Sequence, residues 1–114
     1  MSTNNFHPDD RLVWLYHDYS GWSGKNGDVV LDHILLRSGK DHDSVLNSIP
    51  ILNHSENIAM HGELHTPKNQ AIMLRYTIKH VLREVQNGSY QWKPRDLRFY
   101  EKYKTLYDDP EIQM

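Results

Sequence analysis

An adjacent acid and imidazole, Asp32 and His33, are the residues of this sequence best suited to chemistry. Hydrolysis of a phosphodiester needs a base that takes a proton from water near neutral pH, and histidine is the natural choice. The leaving oxygen gains negative charge, which a divalent cation stabilises. Mg²⁺ prefers hard oxygen ligands such as a carboxylate and keeps several of its waters. The pair therefore fits metal-assisted hydrolysis of a phosphodiester. In the alternative interpretation, Asp32 and His33 cap a turn and Asn57 caps a helix.

The segment around this pair predicts a strand that separates the two side chains. Residues 28–36 (DVVLDHILL) begin with β-branched residues, which favour strands. Because neighbouring side chains of a strand point to opposite faces, Asp32 can hold a metal while His33 approaches a water from another direction. Asn57, on the helix predicted to follow, can supply a second oxygen ligand.

A group of histidines offers an alternative metal site. His54, His61 and His65 lie close together in the sequence, and the last two are four residues apart. On one helix that spacing can bind zinc. Gly62 lies between them and predicts the end of the helix, so solvated or structural histidines are the favoured interpretation. In the alternative, the chain is a zinc-stabilised interaction module that loses its fold on chelation.

Residues 28–62 resemble the motif of the HNH (ββα-metal) endonucleases. The string DHILLRS (32–38) is similar to the family's D-H-I-x-P-R-S opening, with leucine in place of the usual proline. Asn47 stands fifteen residues after Asp32, where the family often has its middle asparagine. The string HSEN (54–57) resembles the start of the family's helix in phage homing endonucleases and in RNA-guided CRISPR nucleases. The Cys pairs that bind structural zinc in many members are absent.

The resemblance implies a role for each matching residue. Asp32 corresponds to the carboxylate metal ligand, and His33 to the general base. Asn47 corresponds to the asparagine that braces this histidine across the loop, and Asn57 to the metal ligand on the helix. In other branches the last ligand is a histidine further along the helix, so His61 is the reserve candidate. The resemblance also implies one Mg²⁺ or Mn²⁺ ion and products with 5′-phosphate and 3′-hydroxyl ends.

The elements that position these residues follow from periodicity and turn residues. Residues 48–52 (SIPIL) form a second short extended run, in which Pro50 favours an edge or a point where no ladder donor is needed. Ser55 is the predicted N-cap of a short helix that ends at Gly62. Residues 37–47 are polar and predict a loop between the strands.

The N-terminal flank is less regular. Residues 1–8 predict a loose arm, and residues 9–19 suit a short helix started by Asp9 or Asp10, with a strand as the alternative. The apolar residues of that segment are Leu12, Val13, Leu15 and Tyr16. Residues 20–27 (SGWSGKNG) form a turn cluster.

The C-terminal flank predicts two helices. Thr66 caps the first, Pro67 occupies its first position, and it runs to about Asn87 and Gly88. Its apolar stripe consists of Leu74, Ile78, Val81 and Val85. A second helix spans residues 95–107. Its predicted core-facing residues are Phe99, Tyr100, Tyr103, Leu106 and Tyr107.

Charge is distributed unevenly along the chain. Residues 1–65 have a net charge of −5, and residues 66–107 a net charge of +6, within a total of −2. The first C-terminal helix carries a basic stripe at i, i+4 and i+8, formed by Arg75, Lys79 and Arg83. Together with Arg37, this stripe is the predicted contact with DNA phosphates, which would give affinity without sequence choice. A solvated helix face is the alternative interpretation.

Composition restricts the class of protein. A chain of 114 residues, 38% hydrophobic and 25% charged, fits one soluble globular domain. It has no Cys, which excludes disulfides and thiolate metal sites and allows a reducing cytoplasm, in the host cell if the protein is viral. No apolar run approaches ~20 residues, so no membrane span is expected. The first residues lack the basic and apolar pattern of a secretory signal.

These observations predict a single α+β domain over residues 1–114. A ββα-metal hairpin-plus-helix core at residues 28–62 is joined by an N-terminal element and by a basic helical extension at residues 66–107. The expected function is that of a phage-type, divalent-metal-dependent DNA endonuclease, with specificity low or supplied by a protein partner. The runner-up is an inactive protein on the same scaffold that binds DNA or inhibits a nuclease or defence complex. A requirement for metal separates the two.

Overall fold

The computed structural model describes residues 6–14 and 17–108. The helices and strands are α1 (Pro8–Val13), β1 (Val29–His33), β2 (Ser48–Leu52), α2 (Ser55–Ala59), α3 (Pro67–Gln86) and α4 (Pro94–Tyr103). Three 3₁₀ turns cover Lys40–Asp43, Val45–Asn47 and Lys104–Tyr107. The predicted α+β class is confirmed, because a two-stranded antiparallel hairpin is followed by helices and preceded by a short helix. No helix of the described part is long and apolar enough to cross a membrane.

In the register of the hairpin, Asp32 and His33 project from opposite faces. Asp32 pairs with Ile49, and His33 pairs with Ser48. Since directly opposed residues of an antiparallel pair project from the same face, Asp32 shares a face with the fully buried Ile49. Pro50 is accommodated as predicted, because each strand of a two-stranded sheet has an open edge.

The loop before β1 packs against the outer edge of β2. The backbone N–H of Gly21 donates to the carbonyl oxygen of Pro50 at 2.7 Å. A Cβ at Gly21 would lie 2.9 Å from Cγ1 of Ile49 and 2.9 Å from Cε2 of Tyr76. Glycine is therefore required at this position for the close approach of the loop to the hairpin and to α3.

Helix α3 provides the largest face of the core and begins and ends as its sequence predicts. The side chain of Thr66 accepts a hydrogen bond from the backbone N–H of Asn69, and Pro67 is the first helical residue. Gly88 follows the helix with a φ of 79°. The predicted stripe is buried at Leu74, Ile78 and Val81 and half-buried at Val85.

The start and end of α2 differ from the prediction. His54, with a φ of 67°, is the N-cap residue and makes no side-chain capping bond, so Ser55 is the first helical residue rather than the cap. The helix ends at Ala59 instead of Gly62. The helical bonding pattern ends there, because the N–H groups of Gly62 and Leu64 both donate to the carbonyl oxygen of Ala59 and form a turn. This turn brings Leu64 into the core.

Two other elements also differ in detail. Helix α1 begins at Pro8 with His7 as its N-cap, and Asp10 completes a capping box by accepting from the backbone of His7. Leu12, expected among the apolar contacts, is exposed, whereas Val13 is buried. The predicted residues Leu15 and Tyr16 lie outside the described residues, as do residues 1–5 of the arm and 109–114 of the C-terminus.

The segments around the predicted loop and last helix contain more 3₁₀ structure than expected. The loop at residues 37–47 contains two 3₁₀ turns, and the last helix is α-helical only to Tyr103. Short polar residues that bond to nearby backbone favour such turns, as Ser44 does by accepting from the N–H of Leu46. Phe99 and Tyr107 are buried as predicted, and Tyr100, Tyr103 and Leu106 pack against the core while partly buried.

Candidate active site

The imidazole of His33 lies at the end of β1 and is held on two sides. Its Nε2–H donates to Oδ1 of Asp43 at 3.0 Å, and the ring of Phe6 stacks on it at a centroid distance of 4.3 Å. The side chain of His33 is only 5% exposed. The ring is therefore fixed both at one edge and on one face.

Asp43 joins His33 to Arg37. Nε of Arg37 lies 2.8 Å from Oδ1 and 3.0 Å from Oδ2 of this carboxylate. Burial acts to raise the pKa of Asp43, but the hydrogen bonds from Arg37 and His33 outweigh it and hold the pKa below its usual value. Asp43 is therefore an anion next to His33 at neutral pH.

The environment of His33 favours the neutral ring. Burial lowers the pKa of His33, and the hydrogen bond and charge of Asp43 oppose that effect only in part. With Nε2–H donating to Asp43, the nitrogen of the neutral ring that keeps a lone pair is Nδ1. A neutral imidazole with an unprotonated Nδ1 has the form that a general base requires.

Asn47 closes the loop that carries Arg37 and Asp43. Its Oδ1 accepts from the N–H of Leu35 at 2.8 Å, and its Nδ2 donates to the carbonyl oxygens of Leu35 at 3.0 Å and of His42 at 2.9 Å. Its side chain is fully buried. The structure thus places Asn47 as a brace of the loop after His33, acting on the backbone and not on the ring itself.

The two predicted metal ligands lie on the hairpin and on the following helix. Asp32 is 2% exposed, and its Oδ1 accepts from the backbone N–H of His33 at 2.8 Å. Asn57 is half-buried in α2. This helix follows the end of β2 that pairs with Val29, which is the opposite end of the hairpin from Asp32. His61, the reserve ligand, is exposed beyond the end of α2.

The donor chemistry of these residues fits a hard divalent cation. No three His, Cys, Asp or Glu side chains in residues 6–14 and 17–108 are arranged to hold a metal ion. An ion at Asp32 would take one carboxylate and waters, which suits Mg²⁺ or Mn²⁺. A zinc site needs three or four protein ligands. His54, His61 and His65 are each exposed and do not form such a set.

The predicted phosphate-binding residues differ in exposure and in bonding. Arg37 is 43% exposed at its side chain while its Nε binds Asp43. Arg75 is half-buried, and its Nε donates to the carbonyl oxygen of Leu106 at 2.9 Å. Lys79 is half-buried, and Arg83 is exposed. Arg83 and Arg37 are thus the most accessible of the four predicted contacts.

Sequence reasoning missed Asp43 and Phe6. The acid-rich stretch KDHD (40–43), which ends ten residues beyond His33, was a usable signal, because a carboxylate in a loop that returns to a histidine can orient it. Phe6 had no such signal, since it lies in an arm without periodicity. Both residues reach His33 only through the packing of separate elements.

Comparisons of the chain with protein-family models, curated proteins and solved structures find no match. The assignment of the candidate site therefore rests on the geometry of its own residues. Its elements are an imidazole held by Asp43, a loop closed by Asn47, and an acid adjacent to the imidazole on the same strand.

Proposed function

We propose that the protein is a divalent-metal-dependent endonuclease of the HNH type, which nicks DNA. The observation that carries this proposal is the setting of His33. Its Nε2 is bound to Asp43, which leaves the lone pair of the neutral ring on Nδ1, and Asp32 lies beside it on the same strand. The brace formed by Asn47 across the following loop supports the same assignment.

In this proposal His33 acts as the general base. It takes a proton from water at Nδ1, and the ring becomes an imidazolium. The Asp43 carboxylate, 3.0 Å from Nε2, stabilises that positive charge and keeps the ring in one tautomer. Arg37 holds the carboxylate in place through Nε, and its other guanidinium nitrogens are donors for a phosphate oxygen.

The remaining role belongs to a bound Mg²⁺ or Mn²⁺ ion, which supplies stabilisation of the negative charge that develops on the leaving 3′ oxygen. Asp32 would hold the ion beside His33. Asn57 and the reserve ligand His61 stay predicted ligands, because their helix follows the other end of the hairpin. Oxygen donors of this type match the preference of both ions. Arg83 supports the proposal as an exposed cation for DNA phosphates.

A plasmid-nicking assay tests the proposal. Wild-type protein should convert supercoiled plasmid to open circles with Mg²⁺ or Mn²⁺ and should fail in EDTA. His33→Ala should reduce the rate by about 10²- to 10⁴-fold, the usual contribution of a general base. His65→Ala is the matched control, because His65 is exposed and has no role in the proposed chemistry, and it should retain full activity. Full activity of folded His33→Ala would refute the mechanism.

One observation favours a second candidate, a non-catalytic protein on the same scaffold that binds DNA. His33 lies under the ring of Phe6, and both His33 and Asp32 are buried. A protein of this kind should bind DNA equally in Mg²⁺ and in EDTA, and it should leave plasmid intact. Gel-shift and nicking assays on the same sample therefore separate the two candidates.

A further inference from the structure

Two fully buried carboxyl groups from different helices meet at one tyrosine hydroxyl. Asp10 belongs to α1 and Asp96 to α4, and neither is exposed. Tyr90, in the segment between α3 and α4, donates through its hydroxyl to Oδ2 of Asp96 at 2.5 Å, and the same hydroxyl lies 3.4 Å from Oδ1 of Asp10. The cluster of Asp10, Tyr90 and Asp96 lies outside the candidate site.

Lys93 lies close to both carboxyl groups. Nζ of Lys93 lies 3.8 Å from Oδ1 of Asp10 and 3.5 Å from the Tyr90 hydroxyl, and the backbone N–H of Lys93 donates to Asp96 at 2.9 Å. Burial and the hydrogen bond to Asp96 raise the pKa of Tyr90, so its proton is retained. The hydroxyl therefore donates to Asp96 of α4, and Nζ of Lys93, which lies beside it, connects it to Asp10 of α1.

Each carboxyl group also holds a segment that contacts His33. Asp10 accepts from the backbone N–H of His7 at 3.1 Å, and the preceding residue, Phe6, stacks on the His33 ring. On the other side, Asp96 accepts from Oγ of Ser44 at 2.6 Å. The residue before this serine is the carboxylate that binds Nε2 of His33.

From these contacts we infer that Tyr90 is a positioning residue. It ties α1 to α4 so that Phe6 on the ring face and Asp43 at the ring edge hold His33 in one orientation. The geometric part of this inference concerns the orientation of the ring. Its consequence for catalysis rests on the proposed function.

The test compares Tyr90→Phe with Tyr107→Phe. Both changes remove one buried hydroxyl, but among the described residues the hydroxyl of Tyr107 has no hydrogen-bond partner. Two NMR signals report the orientation of His33. Nuclear Overhauser effects between the Phe6 and His33 rings report the face, and the slowly exchanging Nε2–H resonance reports the bond to Asp43. In Tyr90→Phe, we expect both signals to weaken or disappear, and Tyr107→Phe should keep both.

The nicking assay adds the catalytic readout. Tyr90→Phe should lower kcat by roughly 10- to 100-fold with little change in KM, because a displacement of about 1 Å at a reacting group has costs of that size. Tyr107→Phe should keep the wild-type kcat. Partial unfolding of either variant would instead lower its fraction of folded protein, which far-UV circular dichroism measures.

The outcomes separate the inference from the proposed function. If both NMR signals persist unchanged in Tyr90→Phe, the inference is wrong whatever the nuclease assay gives. If the signals disappear but wild-type protein does not nick DNA, the positioning role holds and the proposed function fails. If Tyr90→Phe does not fold, Ser44→Ala takes its place, since it removes the serine side chain that donates to Asp96. An unchanged Nε2–H resonance in that variant overturns the inference.

Discussion

Replacement of Asp10 by asparagine should stabilise the protein at neutral and alkaline pH. Burial raises the pKa of Asp10 from 3.8 to about 6, and the nearby charge of Asp96 adds to the increase. Lys93 and Arg95 oppose it, as does the hydrogen bond from the backbone of His7. The net increase means that the folded state binds the proton of Asp10 more tightly than the unfolded state does.

The sign and size of the effect follow from that difference. Below pH 3.8 both states keep the proton, and Asp10 contributes nothing to pH dependence. Between 3.8 and about 6 the unfolded state loses its proton first, so the free energy of unfolding falls as pH rises. Above pH 6 the loss is complete and amounts to about 3 kcal/mol, since each pKa unit corresponds to about 1.4 kcal/mol.

Asparagine has nearly the same shape as aspartate and carries no charge. Its amide oxygen can still accept from the backbone N–H of His7, and its amide nitrogen can donate to the hydroxyl of Tyr90. The stabilisation of Asp10→Asn relative to wild type should therefore be close to zero near pH 4 and grow to about 3 kcal/mol above pH 7. Urea unfolding followed by tryptophan fluorescence at pH 4, 5, 6, 7 and 8 measures this difference.

Asp9→Asn is the matched control, because Asp9 is the neighbouring acid and its side chain is 57% exposed. Its unfolding free energy should follow that of wild type across the range, apart from a weakened surface contact with Lys93. A wild-type and an Asp10→Asn curve that run parallel from pH 4 to 8 would refute the reasoning. So would a variant that is less stable than wild type at pH 8.

Two further predictions concern the loop between the strands. Asp43→Asn should lower kcat for nicking by at least about 10-fold with KM little changed, because the proton-accepting ring loses its anionic partner. Asp41 lies in the same loop and binds Arg98 of α4, so Asp41→Asn removes the same charge and should keep full activity. Equal losses in both variants would contradict a specific role for Asp43. Asn47→Ala should lower the free energy of unfolding by about 2–4 kcal/mol in urea, because buried backbone groups of Leu35 and His42 lose their hydrogen-bond partners. A loss below about 1 kcal/mol would show that water or backbone rearrangement replaces them.

The elements of the fold were largely predictable because their signals are local. The bounds predicted for the second strand match β2, Ser48–Leu52. Thr66, Pro67 and Gly88 mark the ends of α3, because capping and turn geometry depend on a few consecutive residues. The predicted bounds of α2 were wrong by one to a few residues. His54, in a left-handed conformation and without a side-chain capping bond, is the N-cap, and Ser55 begins the helix.

The candidate site was predictable only in part. The Asp32 and His33 pair and the brace at Asn47 came from a motif whose spacing is short enough to read along the chain. The assignments of Asn57 and His61 as ligands, and of Arg37, Arg75, Lys79 and Arg83 as DNA contacts, stay predictions. Asp43, the hydrogen-bond partner of the His33 ring, was not predicted, although it lies in the loop between the two strands.

By itself, the sequence determined the hairpin, the long helix and the adjacent acid and imidazole of the candidate site, since periodicity, caps and neighbouring residues act over short distances along the chain. Only the tertiary structure decided what surrounds His33. Phe6 reaches its face from the segment before α1, and Asp43 reaches its edge from a loop that the buried Asp96 holds through Ser44. The stacking of Phe6 forms only when elements far apart in sequence pack together and exclude water, which no local pattern encodes.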